Sequence, residues 1–142
     1  MVSEGGPYLQ MAVLCEKVHI DSDGSASILR VTDQLAIRGD GPNGNWSMTK
    51  QVITLSLALS FNPGTSRAKH KVQVQPSDEG AVAPDRELEL DFSGTNRSGN
   101  LVLPLELEIT SDGLYWFDVY LDGSLVTRVP LHVRLEGLRL QA

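Results

Sequence analysis

The chain is 142 residues long, which is enough for one domain with its own core and excludes two. Its 12 Lys and Arg against 18 Asp and Glu leave a formal charge of −6 at pH 7, a balance that disfavours both nucleic acid and anionic membrane surfaces, since both are bound through Lys and Arg. Hydrophobic residues at 41% and charged residues at 21% place it among folded domains rather than disordered chains.

The opening Met-Val-Ser-Glu-Gly-Gly-Pro has no positive stretch ahead of its first apolar run, so residues 1–7 are expected as a flexible N-terminus of a cytoplasmic protein. No uninterrupted apolar run approaches the ~20 residues of a membrane-spanning helix. Apolar residues then recur with a period of two almost everywhere, the signature of strands with one buried face. In a first strand Leu9, Met11, Val13 and Cys15 alternate with Tyr8, Gln10, Ala12 and Leu14, and the mixed second set implies partial cover on both faces. Cys15 is the single cysteine, so no disulfide forms within the chain, and its apolar setting reads as a buried, inert thiol.

Asp21-Ser22-Asp23-Gly24 is turn chemistry leading to a second strand over Ser27 to Val31. Gly39 to Asn45 is a surface loop rich in Gly, Pro and Asn. From Gln51 to Phe61, Ile53, Leu55, Leu57, Leu59 and Phe61 face one way and a set of mostly small residues the other. Asn62-Pro63-Gly64 ends that strand, Lys71 to Gln75 forms a shorter one closed by Pro76, and Glu87 to Phe92 is half-buried with a solvated acidic face. Leu101 to Ile109 repeats the alternation, and Pro104 within it predicts an edge strand or a bulge, because proline cannot donate to a ladder.

The last hairpin constrains its own turn. Tyr115, Phe117, Val119 and Leu121 share one face, as do Leu125, Thr127, Val129, Leu131 and Val133. A plain two-residue Asp122-Gly123 turn would put these sets on opposite sides of the sheet, so a three-residue loop, Leu121 to Gly123, is predicted, pairing Val119 with Leu125 and Phe117 with Thr127. Ser111, Gly113 and Tyr115 fit the spacing of a tyrosine corner, and equally an ordinary tyrosine at the edge of a core. No segment of ten or more residues shows helical spacing. The expectation is all-β: an antiparallel sandwich of about eight strands in two sheets, immunoglobulin-like or jelly-roll-like, over residues 8–135 with a tail at 136–142.

Two stretches carry a resemblance. Ala12-Val13-Leu14-Cys15-Glu16, then Asp23-Gly24, then Ser27-Ile28-Leu29-Arg30-Val31-Thr32-Asp33-Gln34-Leu35 resembles the opening of a family of small bacterial domains of unknown function. That family opens with an apolar strand ending Cys-Asp/Glu, a glycine turn, and a strand reading Asn-Ile-Leu-Gly-hydrophobic-Phe-Asp. Gly113-Leu114-Tyr115-Trp116-Phe117, Asp122-Gly123 and Pro130-Leu131-His132-Val133 match at the far end, so the resemblance spans nearly the whole chain. It implies a bacterial source and a fold, and no catalytic or ligand residue. The sequence departs from the pattern at Arg30, where the family usually has glycine, and at Thr32, where it often has an aliphatic or aromatic residue.

Chemistry is sparse in the sequence. The three histidines, His19, His70 and His132, neighbour no Gly-x-Ser-x-Gly elbow, and with no base paired to a nucleophile the chain reads as non-enzymatic, with structural histidines at strand ends. No cofactor motif is present. Asp21-x-Asp23-Gly24 opens like a calcium loop, but the twelfth position that would need a bidentate Glu is Thr32, so a hairpin turn is favoured. Asp21 and Asp23, with Asp112 and Asp122 from other turns, remain weak metal candidates. Glu87, Glu89 and Asp91 lie on one face of one strand, as a solvated edge would have them. Arg38-Gly39-Asp40 and the sequons Asn45-Trp46-Ser47 and Asn96-Arg97-Ser98 only mark loops.

The predicted hairpin register turns Trp116, Asp118 and Tyr120 outward beside Val126, Arg128, Pro130 and His132, with Trp116 opposite Arg128. An exposed Trp and Tyr next to Arg has the composition of a binding hot spot. Trp116, Tyr120, Arg128 and His132 are therefore the candidate interaction surface, for an unknown protein partner or a homo-oligomer, unless the C-terminal tail or the glycine-rich loop covers it. A small-ligand module binding carbohydrate or calcium is the alternative. Acidic turns and the basic residues Arg128, Arg134 and Arg139 polarise the charge, so an acidic partner is expected at the hairpin end.

Overall fold

A computed structural model describes residues 5–38, 51–76, 81–82, 85–94, 98–109 and 111–136. The loop from Gly39 to Asn45, Trp46 and its sequon, Asn96-Arg97 and the residues from 137 onward lie outside them. Among the described residues the chain is all-β: β1 (Tyr8–Ile20), β2 (Ala26–Val31), β3 (Gln34–Arg38), β4 (Gln51–Asn62), β5 (Lys69–Pro76), β6 (Ala81–Val82), β7 (Arg86–Asp91), β8 (Asn100–Ile109), β9 (Gly113–Leu121) and β10 (Ser124–Glu136). One sheet has the order β2-β1-β4-β8-β6 and the other β3-β10-β9-β5-β7. No helix long and apolar enough to cross a membrane occurs among these residues. Two strands, β3 and the two-residue β6, stand beyond those read from the sequence. The pairing of β3 with β10 is parallel, a correction to the all-antiparallel expectation: after β2 in the first sheet, β3 joins the second beside β10, from His132↔Gln34 to Glu136↔Arg38.

The inward faces of both sheets contribute to one apolar core. Leu55, Leu57, Leu59 and Phe61 of β4 and Leu103, Leu105, Leu107 and Ile109 of β8 join Val72, Val74, Tyr115, Phe117, Val119, Val129, Leu131 and Val133 from the other sheet. β4 and β8 pair without a register shift from Gln51↔Ile109 to Ser60↔Asn100. Pro104 therefore needs no bulge. It lies opposite Ser56, and among the described residues β6 flanks β8 only at Glu108 and Ile109, so Pro104 is on the edge side that its missing donor requires.

In β1 the simple alternation fails at a bulge between Leu9 and Met11. Leu9 pairs with Phe61 and faces the core, but one extra residue shifts the parity, so Ala12↔Leu59 and Leu14↔Leu57 continue inward while Met11, Val13 and Cys15 turn outward. Cys15 is nonetheless fully buried, opposite Ser56, whose carbonyl accepts its thiol at 3.5 Å. Burial pushes that thiol up, against a smaller lowering by the Lys17 backbone, in keeping with an unreactive group.

The last hairpin also departs from the predicted loop. Ser124 pairs with Leu121, leaving the two-residue turn Asp122-Gly123 with φ of 49° and 85°, the positive pair of a type I′ turn. The surplus residue is absorbed one step later, between Leu125 and Thr127, after which Val129 faces Phe117 and Leu131 faces Tyr115. The apolar sets do meet on one face, but through a bulge that draws Val126 onto the core rather than through a longer turn. The Tyr115 hydroxyl donates to the Ser111 carbonyl four residues back, the geometry of a tyrosine corner.

Arg30 has φ of 57°, a left-handed conformation within β2 that costs a non-glycine residue about 1–2 kcal/mol. It stands where the resembled family carries glycine. Its ion pair with Glu16 at 3.4 Å is between largely exposed side chains and contributes little. Arg30→Gly is therefore expected to stabilise the fold by about 0.5–1 kcal/mol, raising the melting temperature by about 3 °C in a calorimetric scan. A lower melting temperature would contradict this account of the site.

Candidate functional site

The β9–β10 hairpin brings Trp116, Tyr120, Arg128 and His132 to the outer face of the second sheet, as alternation with the buried Tyr115, Phe117, Val119, Val129, Leu131 and Val133 requires. The bulge alters their pairing. Trp116 lies opposite Pro130, not Arg128, and Arg128 lies opposite Asp118. Val126, expected outward, is half-buried against the core. Arg128 Nε donates to Asp118 Oδ1 at 2.8 Å, and its guanidinium carbon stands 4.8 Å from the Trp116 ring centroid. Trp116 and Tyr120 are half-buried, while Arg128, Pro130 and His132 are exposed beside Leu114 at 49%. Gln73 and Gln75 of β5 extend the face alongside Tyr120 and Asp118.

This geometry changes the charge reading. Much of Arg128's charge is met by Asp118, whose side chain is only 15% exposed, so the face is an aromatic and polar platform more than a cationic one. At its end, His132 and Arg134 join Gln34, Leu35 and Ala36 around a recess of about 200 Å³ between β3 and β10. That is below the usual range of small-molecule sites, about 300–1,000 Å³, and suits a single side chain.

Asp21 and Asp23 do not assemble with the other turn carboxylates. They build the β1–β2 turn: Asp21 N–H donates to the Ser25 carbonyl and Gly24 N–H to the Asp21 carbonyl, both at 2.9 Å. Asp21 Oδ1 pairs with His19 at 2.9 Å. Asp23 Oδ1 accepts the Ser25 hydroxyl and its N–H, bonds that hold the Asp23 carboxyl below the usual carboxylate range. Among the described residues no group of three or more His, Cys, Asp or Glu side chains is placed to hold a metal ion. The calcium-loop likeness is a hairpin turn whose carboxylates are engaged by the neighbouring His19 and Ser25.

A second polar cluster lies around His70. His70, flanked in sequence by Arg67, Lys69 and Lys71, does sit between a hydroxyl and a carboxylate. Ser66 Oγ is 2.6 Å from His70 Nε2, and His70 Nδ1 is 2.7 Å from Asp122 Oδ2. The other carboxylate oxygen, Oδ1, accepts Lys71 N–H at 2.9 Å, and Asp122 N–H donates to the Lys71 carbonyl at 2.8 Å, which fixes the hairpin tip against β5. Because the carboxylate only accepts, the proton belongs on Nδ1, and Nε2 presents its lone pair to the Ser66 hydroxyl. Burial acts most strongly on the Asp122 carboxyl and raises it. The His70 hydrogen bond, the Lys71 N–H, the electrostatic pull of the His70 ring and the charge of Lys71 together outweigh that and hold it below the usual carboxylate range. Ser66 and His70 are four residues apart, but Asp122 is remote in sequence, so only β5–β9 pairing, Val72↔Leu121, unites the three.

The fold and these two clusters define an all-β domain that carries an aromatic and polar outer face and a separate polar triad. A family model described as "Family of unknown function (DUF6941)" matches residues 10–134, and the chain belongs to that family. Among solved structures the chain is similar to the CARDB domain of a Pyrococcus furiosus protein, crystallised in complex with di-metal ions, at 13% identity and a TM-score of 0.44, covering 92% of this chain and 98% of that one. Comparison with curated proteins finds no match.

Proposed function

We propose that this is a cytoplasmic bacterial β-sandwich, immunoglobulin-like or jelly-roll-like, whose β9–β10 face recognises another protein without catalysis at that face. The sandwich reading is supported by the single core that side chains of both sheets build. The recognition reading rests on one observation, the Trp116, Asp118 and Arg128 cluster, in which an aromatic ring is stacked by a guanidinium held at 2.8 Å on a half-buried carboxylate. Such an arrangement presents a large, preorganised contact area at small entropic cost, which is how aromatic and arginine hot spots contribute to interfaces. The recess beside His132 gives a partner side chain a place to enter. Carbohydrate is the weaker alternative, because Arg128 already occupies a face of the Trp116 ring.

The test is recovery of partners from a bacterial host lysate on immobilised wild-type chain and on the W116A/R128A double variant, with oligomeric mass by light scattering. The variant is expected to melt near the wild type and to bind the recovered protein at least about 30-fold more weakly, the effect of losing roughly 2 kcal/mol at a hot spot. Unchanged recovery together with unchanged oligomeric mass would remove this face from the function.

A further inference from the structure

The polar triad lies on the other side of the second sheet from the recognition face. Alternation along β5 puts His70 with the buried Val72 and Val74, while Gln73, opposite Tyr120, faces away. The His70 side chain is 13% exposed and its ring lies 6.1 Å from that of Phe92, so it is held in place by packing as well as by hydrogen bonds. The hairpin tip is already anchored by the two bonds between Asp122 and the Lys71 backbone. That anchor explains the carboxylate but not the ordered sequence beyond it, in which Nδ1 meets the carboxylate and Nε2 meets a hydroxyl.

We propose that Ser66, His70 and Asp122 form a second functional site, at which Ser66 takes the acyl group of small activated carboxylic esters and passes it to water. The roles follow from the atoms. Ser66 Oγ is the nucleophile and His70 Nε2, at 2.6 Å, the base that receives its proton. Asp122 is a positioning residue that holds the Nδ1–H tautomer from 2.7 Å. Ala68 N–H donates to Ser66 Oγ at 3.3 Å, which orients the hydroxyl so that its proton points to the histidine. Arg67 follows the nucleophile. Its guanidinium donates to the Ser66 carbonyl at 3.0 Å, which sets a positive charge on the backbone of the nucleophile. Such a charge is suited to an oxyanion. In the first step the bond from Oγ to the acyl carbon forms as the proton moves to Nε2. The bond to the leaving alkoxide then breaks, and the alkoxide departs with that proton. In the second step a water gives its proton to Nε2 and attacks the acyl-serine, which releases the acid and restores the Ser66 hydroxyl. The loop position of Ser66 favours small, unhindered esters.

Diisopropyl fluorophosphate reads the first step directly: a bond forms from Oγ to phosphorus, fluoride leaves, and the proton goes to Nε2. The full chain is expected to take one label, located at Ser66 by peptide mass spectrometry, and to do so at least about 100-fold faster than the urea-unfolded chain. S66A should lose the label in a chain that stays folded, its melting temperature within about 5 °C of the wild type. In D122N the amide oxygen still accepts Lys71 N–H, but the amide nitrogen forces the opposite histidine tautomer, so labelling should drop at least about tenfold in a chain that stays folded. Release of p-nitrophenol from p-nitrophenyl acetate should follow the same order of variants. Labelling no faster than in the unfolded chain, equal labelling of S66A, or undiminished labelling of D122N would each overturn the proposal.

Discussion

Gly99→Ala is expected to destabilise the protein by about 3 kcal/mol, although it adds one methyl group. A Cβ built at Gly99 would lie 1.9 Å from the Phe61 carbonyl oxygen and 2.8 Å from its carbonyl carbon, both backbone atoms. No side-chain rotation relieves such a contact. The end of β4 and the chain entering β8 would have to separate, at the point where Phe61 N–H donates to the Gly99 carbonyl at 2.9 Å. Phe61 is among the largest fully buried side chains, so the separation also loosens the core. Gly94→Ala is the internal control: an added Cβ there meets nothing within 4 Å, and its cost should be within about 0.5 kcal/mol. Urea melts of the two variants should differ clearly in midpoint. Equal midpoints would mean that the close approach of Gly99 to β4 is not real.

Phe117→Ala should cost about 3–5 kcal/mol, a large part of the roughly 5–15 kcal/mol that holds a domain of this size together. Phe117 is fully buried and lies between Val129 on β10 and Pro76 on β5. Its truncation leaves a cavity in the second sheet's inner face that close-packed neighbours fill only in part. Trp116→Ala, one residue earlier, should cost about 1 kcal/mol or less, because that side chain is on the outer face. The pair therefore tests the hairpin register by thermodynamics alone: a similar loss at both positions, or a larger one at Trp116, would contradict it. The same contrast lets W116A/R128A serve as a folded variant in binding experiments.

Much of the architecture was legible because apolar alternation depends on nearest neighbours in sequence. Leu55, Leu57, Leu59 and Phe61 were recognisable as an inward face from their spacing, as were Leu103 to Ile109, and the structure buries both sets. Pro104 marked an edge through a property of one residue, its missing N–H. That the apolar sets of β9 and β10 share a face was equally legible, and only the place of the surplus residue was not. An Asp-Gly turn with both φ positive matches the twist of the strands, and Asp122 is further held there by β5, so a bulge beyond Leu125 was the available remedy. In β1 no turn residue signalled the bulge at Gln10, and the parity of Cys15 and Leu14 was reversed in consequence.

The candidate sites divide along the same line. Trp116, Tyr120, Arg128 and His132 could be gathered from sequence, since they follow from alternation within one hairpin. Their contacts could not, because a single bulge decides that Arg128 faces Asp118 and leans on Trp116. Ser66, His70 and Asp122 had no sequence signature beyond a Ser-x-x-x-His spacing. They meet because β5 and β9 pair although His70 and Asp122 are 52 residues apart, which local periodicity does not encode. By itself, then, the sequence determined an acidic, all-β domain, its principal strands and the composition of one outer face, all consequences of residue type and spacing. Only the tertiary structure decided the bulges, the parallel β3–β10 pair and the hydroxyl–imidazole–carboxylate line, because each arises where paired strands settle a shared register that alternation within one strand does not encode.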